Sequence, residues 1–236
     1  MPISRRIWIP LLAAVVVAGL GGAWIIVRRL VQTAPRMASL SVFLKDPTAH
    51  ADWMLASGSR CAGAPFQLPV QGYIGFVWDD SFRPFHRHSG LDIFGGTTSG
   101  VTPVSAVYDG FLTRLPSWKA SVIVRIPSDP LQPGRQIWIY YTHMAGPDGS
   151  SLIDAAFPPG SSEVPVKAGT QLGWMGDYSG TVGDPVGVHT HISIVRDNGK
   201  GGFSDERVLA NTYDPSPYFG MNLNANLNPA LPVVCR

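Results

Sequence analysis

Short runs of β-forming residues, each bounded by glycine or proline, constrain the fold of this chain more than any other feature. From residue 67 onward the runs are VQGYIGFVW, VSAVYDGFLTRL, ASVIVRI, QIWIYYTHM, TQLGWMG and VHTHISIV. The 26 glycines and 21 prolines among 236 residues agree with a turn-rich chain. No long helical periodicity separates the runs, so the sequence predicts a mainly β fold of antiparallel sheets instead of a parallel βαβ sheet.

An uncharged apolar segment, residues 7–27, lies close to the N-terminus. At about 1.5 Å per residue, a helix of this length matches the hydrocarbon core of a bilayer. Its flanks carry charged and aromatic residues typical of a membrane interface: Arg5, Arg6, Trp8, Trp24, Arg28 and Arg29. We therefore expect one N-terminal transmembrane helix before the β domain, with a cleaved signal peptide as the alternative.

The chain is expected to divide into four parts. These are an anchor at residues 1–30, a juxtamembrane connector with a short helix at 31–64, a folded domain at 65–220 and a C-terminal tail at 221–236. Asp46 and Pro47 suit the start of the short connector helix.

Only two cysteines occur, Cys61 and Cys235, and they bracket the folded region. An even count in this arrangement favours a structural disulfide in an oxidising compartment, although two unpaired buried thiols are the alternative. We therefore place the body of the protein outside the membrane, on the extracytoplasmic side.

Charge distribution excludes one class of partner. Five of the 18 basic residues, but none of the 16 acidic ones, lie within residues 1–36. The rest of the chain is slightly acidic and lacks the basic excess that nucleic-acid binding requires. We therefore expect no nucleic-acid partner.

Two of the six histidines, His189 and His191, alternate within the run VHTHISIV. On a strand they lie on one face, roughly 7 Å apart, while Ile192 and Ile194 point to the other face. Such a pair is typical of a satisfied polar pair, a metal site or an acid/base pair.

Three further residues extend this pair into a candidate site. His88 and Asp92 are four residues apart in RHSGLDIFGG, a loop that enters a strand, and His143 ends the run IYYTHM. A catalytic zinc site takes three protein ligands and leaves one position open. His88, Asp92 and one histidine of the pair meet that need, which leaves His143 and the other histidine to move protons or stabilise an oxyanion. His50 and His86 are interpreted as surface residues.

The order of these residues resembles that of the lysostaphin-like (LytM-type) zinc metalloendopeptidases of bacterial cell walls. The resemblance covers roughly residues 66–219. Besides the histidine motifs it includes the segments GVTPVSAVYDGFLTRL, VPVKAGTQLGWMGDYSGTVGDPVGVHTHISI and DPSPYFG.

The resemblance implies that His88, Asp92 and His191 bind Zn²⁺ and that His143 and His189 are catalytic. It also implies a β fold of the duplicated hybrid motif, or barrel-sandwich, type. The implied substrate is a peptidoglycan peptide, cut at a stem-peptide cross-link or an interpeptide bridge. The protein would be a single-pass, membrane-anchored enzyme whose catalytic domain faces the periplasm or cell wall, and a regulatory protein partner is left open.

Departures from the family pattern lie beside the ligands: Thr190 stands where Leu is usual, Thr142 where Gly is common, and GDPVGV precedes His189.

The glycine-rich strands alone would also fit a lipoyl-type module. A cupin also uses a H-x-H pair, but the glutamate that it needs is missing from ISIVRDNGK. The main alternative is a non-catalytic peptidoglycan-binding or hydrolase-activating module of the same fold, and the complete ligand set favours the enzyme.

Overall fold

The computed structural model describes residues 5–81 and 86–236 of the chain. The side chains of residues 5–19, 21, 29, 30 and 32 are also outside this description. The helices in the described part are α1 (Arg5–Lys45) and α2 (Ser216–Phe219), with single 3-10 turns at Ala51–Trp53, Leu209–Asn211 and Ala225–Leu227.

The rest of the regular structure is β. The strands are β1 (Tyr73–Phe76), β2 (Leu91–Phe94), β3 (Pro103–Ser105), β4 (Gly110–Thr113), β5 (Val122–Ile126), β6 (Ile137–Thr142), β7 (Val164–Val166), β8 (Gln171–Trp174), β9 (Gly176–Tyr178), β10 (Pro185–Arg196) and β11 (Thr212–Tyr213).

Most of these strands belong to one antiparallel sheet whose order is β1-β2-β10-β6-β5-β4-β7. Strands β9 and β11 also pair with β10, while β3 and β8 form a separate two-stranded sheet. The long strand β10 therefore has β2 on one side and β6 on the other, which places three candidate-site segments next to one another. The prediction of a mainly antiparallel β fold is confirmed.

The core confirms the two faces expected for the strand that carries the histidine pair. Ile192 and Ile194 are buried in the main apolar cluster together with Leu91, Ile93 and Ile139 from the neighbouring strands. A strand directs alternate side chains to opposite faces, so the histidines lie on the other side of the sheet.

A disulfide joins Cys61 to Cys235 across 174 residues of sequence, as predicted. It fixes the end of the C-terminal tail beside the residues that precede β1. The tail is held near this point by a further bridge between Met221 and Cys235.

Helix α1 extends into the region expected to be a connector. Its residues Leu40 and Phe43 are buried in an apolar cluster with Tyr73 and Phe94, and the rings of Phe43 and Tyr73 stack at 5.1 Å. The short helix expected after Pro47 is a single 3-10 turn.

The predicted transmembrane segment falls mainly on residues 7–19, whose side chains lie outside the described part of the chain. Over the residues that the structure does describe, no helix is both long and apolar enough to cross a bilayer.

Candidate metal centre

Strand pairing brings two of the predicted ligands together. His191 on β10 is opposite Asp92 on β2 and also opposite Thr142 on β6. Side chains opposite each other on neighbouring antiparallel strands lie about 5 Å apart, on the same face of the sheet. The ladder of hydrogen bonds therefore fixes Asp92 and His191 side by side, with His143 directly after Thr142.

His88 reaches the same point from the loop that precedes β2. Its main-chain N–H donates to the carbonyl of Asp80 at 2.8 Å, and its own carbonyl accepts from Asp79 N–H at 2.8 Å. Its ring Nδ1 lies 2.9 Å from the carbonyl oxygen of Val77. Because a carbonyl can only accept, Nδ1 carries a proton, and Nε2 is the ring nitrogen left to bind a metal.

Three donor atoms converge at the floor of the site. His88 Nε2 is 3.1 Å from Asp92 Oδ1 and 3.0 Å from His191 Nδ1, and His191 Nδ1 is 2.8 Å from Asp92 Oδ1. The far nitrogen of His191, Nε2, lies 2.8 Å from Ser193 Oγ, so the ring is held from both sides.

Gly90 makes this close approach of β2 and β10 sterically feasible. A Cβ atom at this position would lie 2.0 Å from the carbonyl oxygen of Ile192 and 2.8 Å from His191 Nε2. Both distances are shorter than van der Waals contact, so a side chain here would force the ligand strands apart.

His189 and His143 lie beside the three converging atoms. His189 stacks on Phe94 with ring centroids 4.9 Å apart, and its Nδ1 donates to the carbonyl of Gly187 at 2.8 Å. Its Nε2 therefore faces the site, 3.7 Å from Asp92 Oδ1. The rings of His189 and His143 are 4.4 Å apart.

His143 is oriented in the same way. Its Nδ1 donates to the carbonyl of Tyr178 at 2.8 Å, so Nε2 is the ring nitrogen that remains for the site. Its backbone has a φ of 71°, in the left-handed region that non-glycine residues rarely occupy. Such backbone strain is frequent at functional sites, where it aims a side chain.

Burial and the central carboxylate set the charge state of the site. Burial opposes ionisation of Asp92, but the imidazole rings of His88, His189 and His191 beside it hold its pKa well below the usual range. Burial lowers the pKa of His189 to about 4 and also lowers the pKa of His191, so both rings are neutral at pH 7. Burial alone would lower the pKa of His88 as well, but the Asp92 carboxylate raises it above its ordinary value.

This donor set fits a divalent cation of the zinc type. Two imidazole nitrogens and one carboxylate oxygen, the candidate metal ligands His88, Asp92 and His191, lie within 4.8 Å of one another. Four ligands about 2.0–2.1 Å from zinc are about 3.3 Å apart from each other in a tetrahedron, close to the separations found here. The imidazole and carboxylate ligands are those typical of a catalytic zinc site.

The converging residues lie in a cleft of about 920 Å³. Its walls include the aromatic side chains of Phe76, Trp118 and Tyr140, besides His88, Asp92, His143, His189 and His191. The structure thus brings all five predicted site residues to one place.

The other two histidines differ from each other. The His50 ring lies 4.1 Å from that of Trp53, and His50 does not line the cleft, whereas His86 does, with its ring 6.5 Å from that of His88. His86 is half-buried in the cleft wall and is thus not an ordinary surface residue.

Some residues that shape the site were missed in the sequence. Ser193 lies two positions after His191 and so on the same strand face, a signal that could have revealed it. The carbonyls of Val77, Tyr178 and Gly187, which orient three of the histidines, carry no sequence signal, because any residue supplies a carbonyl.

Comparison with known proteins yields structural neighbours only. No protein-family model matches the chain, and no curated protein matches it. Peptidases of the M23, LytM and lysostaphin type are its structural neighbours.

A protein from Ruminococcus gnavus named glycyl-glycine endopeptidase lytM is 27% identical, with a TM-score of 0.37, and the match covers 55% of this chain and 45% of that one. A protein from Pseudomonas aeruginosa named peptidase M23 is 21% identical, with a TM-score of 0.37 and coverage of 78% and 62%. Lysostaphin is 22% identical, with a TM-score of 0.34 and coverage of 56% and 43%. The chain thus spans less than two thirds of each of these proteins.

Proposed function

We propose that this protein is a zinc metalloendopeptidase that hydrolyses peptide bonds in peptidoglycan. One observation carries the proposal: His88 Nε2, Asp92 Oδ1 and His191 Nδ1 lie about 3 Å from one another at the floor of a cleft, with two further histidines beside them. Three ligands with an open fourth position are the arrangement of catalytic zinc.

His88, Asp92 and His191 would hold the Zn²⁺ ion. When bound, such an ion lowers the pKa of its water ligand to about 7 and polarises the carbonyl of the scissile bond. The Asp92 carboxylate supplies one negative charge, and the hydrogen bonds from His88 Nδ1 and to Ser193 Oγ keep both rings in place.

His189 and His143 have the proton-transfer roles. Each donates from Nδ1 to a backbone carbonyl, and each therefore presents Nε2 as the nitrogen that exchanges protons with the site. His189, neutral and next to Asp92, takes the proton from the attacking water. The leaving amine receives this same proton through His143, whose ring lies 4.4 Å from that of His189 and which hydrogen-bonds the tetrahedral oxyanion while it carries the proton.

The substrate assignment combines the cleft with the resemblance. An open cleft of about 920 Å³ with aromatic walls suits an extended peptide. The sequence resemblance to cell-wall peptidases points to short glycine- or alanine-rich peptides, either stem-peptide cross-links or interpeptide bridges.

The enzyme acts outside the cytoplasm and is anchored to the membrane. The Cys61–Cys235 disulfide supports an oxidising compartment. The uncharged segment 7–27 and the exposed apolar side chains of Leu20, Trp24 and Ile25 support contact of α1 with lipid.

Metal analysis followed by digestion tests the proposal. We expect about one zinc per chain in the purified protein and the release of new amino groups from purified peptidoglycan. Mass spectrometry of the digest identifies the bond that is cut. A chain that contains no zinc and releases no amino groups would instead be a binding or hydrolase-activating module of the same fold.

A further inference from the structure

A buried ion pair joins helix α1 to the β domain. The side chains of Arg36 and Asp80 are 2% and 0% exposed. Arg36 Nε donates to Asp80 Oδ2 at 2.7 Å and its Nη2 donates to Oδ1, while Thr33 Oγ1 donates to Oδ1 at 2.7 Å. A buried carboxylate needs hydrogen-bond partners to offset its loss of water. The two side chains that bond Asp80 here, Arg36 and Thr33, both belong to α1.

The same aspartate organises the turn behind the metal ligand His88. Asp80 Oδ2 accepts from the N–H of Val77 at 3.2 Å, and Asp80 N–H donates to the carbonyl of Val77 at 3.2 Å. The carbonyl of Asp80 accepts from His88 N–H, and the carbonyl of Val77 accepts from His88 Nδ1. Asp80 therefore lies between α1 and both the main chain and the ring of His88.

Helix α1 contacts the site along a second route. Leu40 and Phe43 share an apolar cluster with Phe94, on whose ring His189 stacks. Met37, next to Arg36 in the chain, lines the cleft itself. These contacts place the second half of α1 against the candidate site on two of its sides.

We propose that Arg36 is a positioning residue for the metal ligand His88 and that the second half of α1 is thus part of the metal centre. Arg36 holds the Asp80 carboxylate, Asp80 fixes the turn that presents the Val77 carbonyl, and that carbonyl orients the His88 ring. The inference rests on the proposed function, in which His88 binds zinc. Groups that orient a metal-binding histidine change metal affinity about 10- to 100-fold when they are lost.

The test uses the 236-residue chain, purified in detergent, with Arg36→Met and a matched control. The control is Arg135→Met, because Arg135 also bonds a fully buried carboxylate, that of Asp129, through Nε and Nη2. Arg135 is absent from the residues that line the cleft. Zinc affinity is measured by competition with a chelator, the ligand geometry by the visible spectrum of the Co²⁺-substituted protein, and folding by thermal unfolding.

We expect Arg36→Met to weaken zinc binding about tenfold or more and to change the Co²⁺ spectrum. Arg135→Met should lower the melting temperature while affinity and spectrum stay those of the wild type. Wild-type affinity and spectrum in Arg36→Met would overturn the inference, as would equal loss of affinity in both variants, since that is general destabilisation.

A second pair of variants and the wild-type chain complete the test. If Arg36→Met does not fold, Arg36→Lys is compared with Arg135→Lys, because lysine keeps the charge but loses the two-pronged contact. Weaker zinc binding and a changed Co²⁺ spectrum in Arg36→Lys alone then support the inference, and wild-type values in Arg36→Lys or an equal loss in both variants overturn it. A wild-type chain that binds no zinc would refute the proposed function itself, whereas a zinc-binding wild type with an unchanged Arg36 variant refutes only the role of Arg36.

Discussion

The substitution Gly90→Ala tests the metal centre by steric displacement alone, without removing any ligand. The added Cβ would lie 2.0 Å from the carbonyl oxygen of Ile192 and 2.7 Å from Ser193 Oγ. Relief of the backbone contact requires β2 and β10 to separate by about 1 Å, since a carbon and an oxygen not bonded to each other lie more than 3 Å apart. These are the strands that carry Asp92 and His191.

A separation of about 1 Å is large for a metal site, where ligand distances hold to within about 0.2 Å. We therefore expect Gly90→Ala to lose most of its bound zinc and its peptidase activity. Overpacking of this kind costs about 1–3 kcal/mol, so the protein should still fold.

Gly110→Ala is the matched control. Its Cβ would lie 2.5 Å from the carbonyl oxygen of Arg125, again across a pair of antiparallel strands, but on β4 and β5 and away from the cleft. The zinc content and the melting temperature are measured for both variants. Full zinc occupancy in Gly90→Ala, or equal zinc loss in both variants, would refute the reasoning.

Three further predictions concern the individual residues. His88→Ala, Asp92→Ala and His191→Ala should each lose zinc, because two protein ligands rarely hold a catalytic ion; stoichiometric zinc in all three would contradict the ligand assignment. His189→Ala should keep its zinc while hydrolysis of the wall peptide slows by about 10²–10⁴, and metal analysis beside a rate assay distinguishes it from His191→Ala, which should lose both. Burial lowers the pKa of His189 to about 4, whereas an unfolded histidine titrates near 6.5, so between these values the unfolded chain binds more protons. The metal-free protein should therefore lose up to about 3 kcal/mol of stability as pH falls from 6.5 to 4, and denaturant titrations should show a smaller loss in His189→Gln; equal losses would show that His189 is not responsible.

The strand that carries the histidine pair could be predicted because its signal is local. The run VHTHISIV lies inside β10, and the alternation of its side chains placed Ile192 and Ile194 in the core and the histidines on the opposite face. Gly90, Gly95 and Gly96 likewise indicated a loop entering a strand, and Asp92 does lie in β2, with His88 in the loop before it.

The role of helix α1 could not be predicted, because its contacts with the domain join residues far apart in sequence. Arg36 and Asp80 are separated by 44 positions, and neither lies in a motif. Composition suggested a connector after the apolar segment. A single arginine or threonine on a helix gives no indication that its side chain has a buried partner in another part of the fold. The left-handed backbone of His143 was equally hidden, because it results from the turn between β6 and the loop that follows.

The three ligands differ in how they are held, and this difference explains why both ends of the chain converge on one turn. Asp92 and His191 are fixed by the hydrogen-bond ladder between β2 and β10. His88 lies in a loop and has no such ladder, so its position must be fixed by groups outside the sheet.

The turn behind His88 receives that support from two directions. Helix α1 bonds Asp80, as described above, and the C-terminal tail pairs with Trp78, whose N–H donates to Leu223 O at 2.9 Å and whose carbonyl accepts from Ala225 N–H at 2.8 Å. The tail is in turn tied to the body by Cys235. A loop ligand held within a few tenths of an ångström needs a rigid frame, and here the segments that look like appendages in the sequence provide it.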